Sequence, residues 1–229
     1  MSAVGSGAGR RDELARLAES MRADLGAVNA AREVALAACR RTIRASGSSI
    51  RAVHRLEVVR AQAMAEEARV ALREAQHEVE PYSAVGFAGF VHDAAKEYAE
   101  AVLTAALVAG GPLPSHTEVG VEIPAWLNGL AEAASELRRH LLDRLREKQL
   151  GVAERLLGDM EDVYDLLVTI DYPDAVTGGL RRTADALRAV LERTRSDLTT
   201  SILQAQLQEA IVGRLVAEGK VGTDPGGLR

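Results

Sequence analysis

The feature that most constrains the fold is a long run of apolar residues at helical spacing near the start of the chain. Leu14, Leu17, Met21, Leu25 and Val28 recur every three or four residues, and this period places them on one stripe of an α-helix. The 229-residue chain is 47% apolar but only 3% aromatic, and it has no long alternating run rich in Val, Ile and Thr. These properties predict an all-α protein with a substantial core.

Glycine, serine and proline clusters divide this pattern into six predicted helices. The first runs from about residue 11 to Gly47, where Gly47-Ser48-Ser49 indicates a break, and the second ends at Pro81. Further helices are predicted at about 83–108, from Pro124 through at least Leu145, and at about 151–169 and 176–218, with an exposed loop before Pro124. Gly178-Gly179 is expected to loosen the start of the last helix.

The chain has no linker rich enough in Pro, Gly or Ser to separate two domains. We therefore predict one bundle of about six or seven helices over residues 11–218. Residues 1–10 and 219–229 are glycine-rich and are predicted to be a disordered lead-in and a flexible tail. No leader pattern or membrane-length apolar run is found, and the single Cys39 cannot form an internal disulfide. The expectation is a cytoplasmic protein without a membrane partner.

Acidic residues at intervals of three and four occur on two of the predicted helices. Glu97 and Glu100 share one stripe of the third helix with Asp93, and Glu132 and Glu136 lie one turn apart on the fourth, opposite its apolar face. If the two helices face each other, at least four carboxylates surround a small volume, as in sites for hard divalent cations. Spacing alone favours a plainer interpretation, because such pairs are common as solvated surface charges.

Arginine is concentrated locally, although the formal net charge is -5. Arg40, Arg44, Arg51 and Arg55 fall within about 60° on a continuous helical wheel, with His54 on the flank. Such a strip could follow a phosphate backbone, since the guanidinium group bonds two phosphate oxygens. The alternative is an alanine-rich helix kept soluble by arginine, and the wheel applies only if Gly47 does not break the helix. A second basic group near the last helix comprises Arg181, Arg182 and Arg188.

Six segments, in order along the chain, resemble the translin and translin-associated factor X (Trax) family of helical nucleic-acid-binding proteins. They are RAVHR at 51–55, FAGFVHDAAKEYAEAV at 87–102, PLP at 112–114, LNGLAEAASEL at 127–137, MEDVYD at 160–165 and LRR at 180–182. The likeness extends from about Arg11 to Ala217. Trax-type patterns are matched by Glu97-Tyr98 with Glu100-Ala101-Val102, and by Gly129, Ala131, Glu132, Glu136 and Leu137. Glu132 departs from the eukaryotic pattern, which has aspartate there.

The resemblance implies a Mg²⁺- or Mn²⁺-dependent endoribonuclease acting on single-stranded RNA. Glu97, Glu100 and Glu136 would be metal ligands, and Glu132 would be a further ligand or the base that orients the attacking water. His92 and Lys96 would hold the substrate beside the metal. Asp93 and Asp165 are weaker candidates. Asp165 would either bond to a metal-ligating side chain or be a simple surface charge.

The resemblance also implies assembly into a closed, hollow homo-oligomer, octamer-like, with the acids facing inward and a paralogous subunit as a further partner. The alternative function is a non-catalytic, translin-type binder of single-stranded RNA or DNA, and a purely structural helical scaffold ranks third. No glycine-rich nucleotide loop and no zinc-ligand spacing is present. Because aromatics are scarce, we expect binding dominated by backbone charge.

Overall fold

The computed structural model describes residues 6–82 and 89–217, and the side chains of residues 9–82 and 89–215. These residues form eight α-helices and no strand, which confirms the predicted all-α bundle. The helices are α1 (Ser6–His54), α2 (Val58–Val79), α3 (Phe90–Ala109), α4 (His116–Val119), α5 (Ile123–Arg146), α6 (Leu150–Val168), α7 (Asp174–Thr177) and α8 (Leu180–Ala217). None of them has an apolar stretch long enough to cross a membrane.

Helix α5 forms the centre of the bundle. It packs against α3 on one side and against α6 and α8 on the others, while α1 packs against α2 and α3. Leu130, Leu137 and Leu141 of α5 are fully buried and are the side chains that the apolar spacing predicted to face inward. Alanine is frequent at the contacts between helices, so the backbones approach closely and side chains from two neighbouring helices can meet.

Helix α1 is continuous through Gly47, so the predicted break there is wrong. The serine hydroxyls bond to carbonyls instead of capping a new helix: Ser48 donates to Arg44 of the same helix, and the buried Ser49 donates to Ala61 of α2 at 2.9 Å. The chain turns later, between α1 and α2, where Leu56 adopts φ 60°. Packing against α2 thus outweighs the low helix propensity of the Gly-Ser segment.

The apolar stripe near the start of α1 is not part of the core of the single chain. Leu14, Leu17, Met21 and Leu25 are 57%, 47%, 59% and 67% exposed. Helix α2 runs back along α1 only as far as the region of Ala27, so the preceding part of α1 extends beyond its neighbour. The predicted lead-in over residues 1–10 is already helical from Ser6, and residues 1–5 and 218–229 lie outside the described part of the chain.

Two further boundaries differ from the prediction. The segment before Pro124 contains α4, whose Ser115 and Glu118 form a capping box, and its Val119 is buried in the core, so it is not simply an exposed loop. The last predicted helix is divided by Gly178 and Gly179, which have φ 63° and 83°. These left-handed conformations suit glycine and end α7 before α8 begins. The predicted start of the third helix, at 83–88, lies outside the described residues.

Candidate metal and nucleic-acid site

The site lies where α3 and α5 approach most closely, and Gly129 makes this approach possible. A Cβ atom at Gly129 would lie 2.8 Å from Ala99 Cβ, 2.9 Å from the Lys96 carbonyl oxygen and 3.0 Å from the Glu100 nitrogen. A real Cβ atom essentially never lies this close to another heavy atom, so only glycine permits this packing. The contact brings the acidic stripe of α3 next to the turn of α5 that follows Gly129.

Three of the predicted acids meet at this contact. One carboxylate oxygen from each of Glu97, Glu100 and Glu132 lies within 4.8 Å of the other two. An octahedral Mg²⁺ with ligands at about 2.0–2.1 Å places opposite oxygens roughly 4.2 Å apart, so small side-chain adjustments would suffice. The donor set, composed of hard carboxylate oxygens, therefore fits Mg²⁺ or Mn²⁺. Glu132, predicted to lie opposite the apolar face of its helix, is half-buried because α3 covers that side of α5.

Glu100 is the most buried member of the cluster, with 8% of its surface exposed. Burial, followed by repulsion from Glu132, Glu97 and Glu136, raises the pKa of Glu100 to about 8, although Lys96 opposes the shift. A carboxylate in this environment is destabilised as an anion and gains from any cation placed beside it.

Lys96 provides the positive charge within the cluster. Its Nζ donates to both oxygens of Glu132, at 2.7 and 2.6 Å, and lies 3.3 Å from Glu97. Burial lowers the pKa of Lys96, but the bonds with Glu132 and the charge of Glu97 outweigh this and raise it overall. The sequence-based prediction was that Lys96 holds the substrate, whereas in the structure its ammonium group bonds to Glu132.

Glu136 lies one turn beyond Glu132 and is held by α1. His54 Nε2 and Glu136 Oε2 are 2.7 Å apart, and the His54 side chain is only 2% exposed. The hydrogen bond from His54 lowers the pKa of Glu136, so the carboxylate is kept ionised. Nδ1 of His54 has no hydrogen-bond partner among the described residues. His54 thus joins the end of the arginine-bearing helix to the acidic helix α5.

The predicted arginine strip lies on the exposed side of α1. Arg40, Arg44 and Arg55 are exposed, and within the described residues they form no ion pair. Arg51 donates to Ser48 Oγ of its own helix. By contrast, the neighbouring Arg41 pairs with Glu74 of α2 at 2.5 Å. Because α1 is continuous, the wheel argument applies to Arg40, Arg44 and Arg51, while Arg55 follows the end of the helix.

The second basic group lies at the start of α8, which a buried amide fastens to α5. Asn128 Nδ2 donates to the carbonyls of Pro124 and Thr177, and its Oδ1 accepts from Thr183. His92 Nε2 lies 3.0 Å from where a Cβ at Gly178 would be, so His92 packs against the α7–α8 turn. Arg181, Arg182 and Arg188 of this region are exposed, as is the acidic Asp185.

Arg181 also lines a cavity of about 740 Å³ together with Tyr164 and Tyr172. Asp93 and Asp165 are both exposed, and neither belongs to the carboxylate cluster found among the described residues.

Sequence reasoning identified the acids but missed the residues that bring them together. Gly129 and Asn128 were recognised only as parts of a family segment, although a glycine inside an alanine-rich helix is a signal of close backbone approach. The bonds from Lys96 to Glu132 and from His54 to Glu136 join residues 36 and 82 positions apart. No local pattern predicts such pairs.

The fold and site together define an all-helical protein with a carboxylate cluster beside an arginine-bearing helix. Solved structures share this fold. AfC3PO, in a complex with duplex RNA, is 32% identical with a TM-score of 0.72, over 82% of this chain and 97% of that chain. A crystal structure of AfC3PO matches at the same identity and TM-score, over 82% of this chain and 98% of that chain. A structure of apo-NeC3PO has a TM-score of 0.68 over 88% of this chain and all of that chain, but at 20% identity it supports the fold alone.

The chain belongs to the translin/Trax family, which includes the archaeal and fungal C3PO proteins. An uncharacterized protein of Methanocaldococcus jannaschii is 32% identical over 124 residues, which are 54% of this chain and 55% of that protein. The match thus spans about half the length of this curated relative. No family model matches the sequence.

Proposed function

We propose that this chain is a translin-type RNA-binding protein that cleaves RNA with the help of Mg²⁺ or Mn²⁺ held at the acid cluster. The convergence of Glu97, Glu100 and Glu132 carries the proposal, because three carboxylates gathered at a half-buried contact repel one another and the single Lys96 ammonium offsets only part of their charge. A bound ion would neutralise the cluster and supply an activated water and a positive charge for the phosphate oxygens.

The residues of the chain have distinct roles in this proposal. Glu97, Glu100 and Glu132 would hold the ion. Glu136, ionised by its bond to His54, would orient the attacking water or contribute to the ligand set through a water molecule. His54 holds Glu136 from α1, which links the proposed RNA-binding helix to the proposed cleavage site.

The unpaired arginines of α1 support RNA binding. Arg40 and Arg44 are exposed and carry no acid partner within the described part of the chain, which leaves their guanidinium groups available for phosphate. A structure of AfC3PO in a complex with duplex RNA has been solved, so both single-stranded and duplex RNA are candidate substrates here. We retain single-stranded RNA as the expected substrate, as the family resemblance implies. Because few aromatics are available for base stacking, binding should depend on backbone charge and be tolerant of sequence.

The exposed apolar stripe of α1 supports self-assembly. Leu14, Leu17, Met21 and Leu25 form a contiguous exposed patch, which in soluble proteins marks an interaction surface. We propose a closed homo-oligomer in which this patch is covered.

A non-catalytic RNA binder is the second candidate. One observation favours it: the Lys96 ammonium already neutralises Glu132, so the cluster is partly compensated without a metal.

The decisive experiment is cleavage of labelled single-stranded RNA, duplex RNA and single-stranded DNA with Mg²⁺, Mn²⁺ or EDTA. The wild type is compared with a Glu97→Gln, Glu100→Gln double variant, and with Glu154→Gln on the exposed face of α6 as the control. We expect metal-dependent cleavage by the wild type and the control, and none by the double variant. RNA retention without cleavage in all three proteins would establish the non-catalytic alternative.

RNA binding is tested separately by fluorescence anisotropy over a range of salt concentrations. In an Arg40→Gln, Arg44→Gln variant, each lost phosphate contact should reduce the slope of log affinity against log salt by about 0.7 for a single strand. Arg41→Gln is the matched control, since Arg41 already pairs with Glu74. Equal slopes for both variants would remove α1 from the RNA-binding surface.

A further inference from the structure

Lys96 places an ammonium group within the carboxylate cluster that is proposed to bind a divalent metal. Its Nζ contacts both oxygens of Glu132 and lies 3.3 Å from an oxygen of Glu97. Glu132 and Glu97 are two of the three carboxylates whose oxygens converge. The ammonium group therefore contacts two of the three carboxylates that a divalent ion would use.

The position of Lys96 follows from the place of its backbone at the contact between α3 and α5. Lys96 precedes Glu97 on α3, and its carbonyl oxygen lies 2.9 Å from where a Cβ at Gly129 would be. The stem of the side chain thus starts at the closest contact between α3 and α5, and its 21% side-chain exposure leaves a route toward solvent. The side chain is long enough to leave Glu132 without any movement of the helices.

A divalent ion bound at Glu132 would lie within a few ångströms of the Lys96 ammonium, and the two cations would repel each other. The ion brings twice the charge of the ammonium, and it would also interact with Glu100, to which Lys96 makes no bond among the described residues. Entry of the ion would therefore weaken the bonds between Lys96 and Glu132.

We propose that Lys96 is an exchangeable internal counter-ion: it occupies the acid cluster in the metal-free protein, is displaced from Glu132 when a divalent metal enters, and then faces the RNA phosphate. This inference rests on the proposed function, since it takes the cluster as the metal site. It assigns Lys96 two effects, one on metal affinity and one on RNA.

The first effect is measured without any cleavage, by isothermal titration of Mn²⁺ into the full-length protein. Lys96→Gln keeps a polar side chain but removes the competing charge, so we expect its Mn²⁺ affinity to rise roughly tenfold. Lys96→Arg restores the charge and should return the affinity to within about threefold of the wild type. Lys148→Gln, an exposed lysine outside the cluster, is the control and should leave the affinity unchanged.

The second effect is measured at saturating Mn²⁺, once the metal site is full in every variant. Because the displaced ammonium faces the phosphate, Lys96→Gln should raise KM for RNA severalfold, and Lys96→Arg should restore it. An unchanged or weakened Mn²⁺ affinity in Lys96→Gln, in a folded protein, overturns the inference. An unchanged KM overturns the part that concerns RNA.

Failure of the inference can be separated from failure of the proposed function. If the wild type and the Glu97→Gln, Glu100→Gln variant take up Mn²⁺ equally, the cluster is not the metal site and both ideas fail. If the wild type binds Mn²⁺ and the Glu97→Gln, Glu100→Gln variant does not, the cluster remains the metal site. If Lys96→Gln then binds Mn²⁺ no more tightly than the wild type, the counter-ion role alone is refuted. Thermal unfolding without metal identifies any variant that does not fold.

Discussion

Substitution of Gly129 by alanine tests whether close contact between α3 and α5 builds the site. The added methyl group would lie 2.8–3.0 Å from Ala99 Cβ, the Lys96 carbonyl and the Glu100 nitrogen. Two of these are backbone atoms and the third is a short side chain, so no flexible group can move aside. Overpacking of this kind costs about 1–3 kcal/mol, against a gain of up to about 1 kcal/mol in helix propensity. We expect a net loss of roughly 1–2 kcal/mol.

Gly158→Ala is the matched control, because Gly158 lies inside α6 and a Cβ atom added there would have no neighbouring atom within 4 Å. This variant should gain up to about 1 kcal/mol from helix propensity. The helix-propensity gain is common to both variants, so they should differ by the overpacking cost of about 1–3 kcal/mol in urea unfolding at one fixed protein concentration. Gly129→Ala should also bind Mn²⁺ more weakly, since its helices are pushed apart at the acids. Equal stability of the two alanine variants would refute the packing argument.

Three further predictions follow from buried polar groups. Since the native pKa of Glu100 is raised to about 8, this carboxyl group holds a proton in the folded metal-free protein over a pH range, about 4.5 to 8, in which it is ionised in the unfolded chain. Its contribution to stability therefore falls as pH rises through this window. Glu100→Gln should remove this contribution and be more stable than the wild type at pH 8 by roughly 1–4 kcal/mol in chemical denaturation. The lowered pKa of Glu136 has the opposite effect on stability. Its stabilising contribution is fully present above the pKa of the unfolded chain, near 4.3, and is lost as pH falls through the lower pKa of the folded protein. The stability difference between the wild type and His54→Ala should therefore narrow below about pH 4, and a constant difference would contradict this. Asn128→Ala leaves two carbonyls and the Thr183 hydroxyl without their partner, so thermal unfolding should show a loss of about 1–3 kcal/mol; no loss would mean that water replaces the amide.

The acidic residues could be predicted from the sequence because helical spacing is a local property. Glu97 and Glu100, or Glu132 and Glu136, share a helix face whatever the rest of the chain does. The burial of Glu100 and the exclusion of Glu136 from the closest group of oxygens depend on how two helices cross. That geometry follows from a missing side chain at Gly129, whose effect appears only when the neighbouring helix is in place.

The boundaries of α1 show the same limit in a different form. Gly47, Ser48 and Ser49 have low helix propensity, and local reasoning therefore predicted a break. In the fold, Ser49 donates to the Ala61 carbonyl of α2, and buried contacts on both sides keep the helix intact. The exposure of the stripe from Leu14 to Leu25 has a related cause, because periodicity identifies which face is apolar but not which molecule covers it.

The long sequence separation between His54 and Glu136 has a consequence for the making of the protein. These two residues are 82 positions apart, and Lys96 is 36 positions from Glu132. A chain emerging from the ribosome carries the arginines of α1 well before α5 has been synthesised, so it can attract RNA while the acid cluster does not yet exist. On the proposed function, a chain that ends before α5 lacks Glu132 and Glu136 and therefore cannot form the cleavage site.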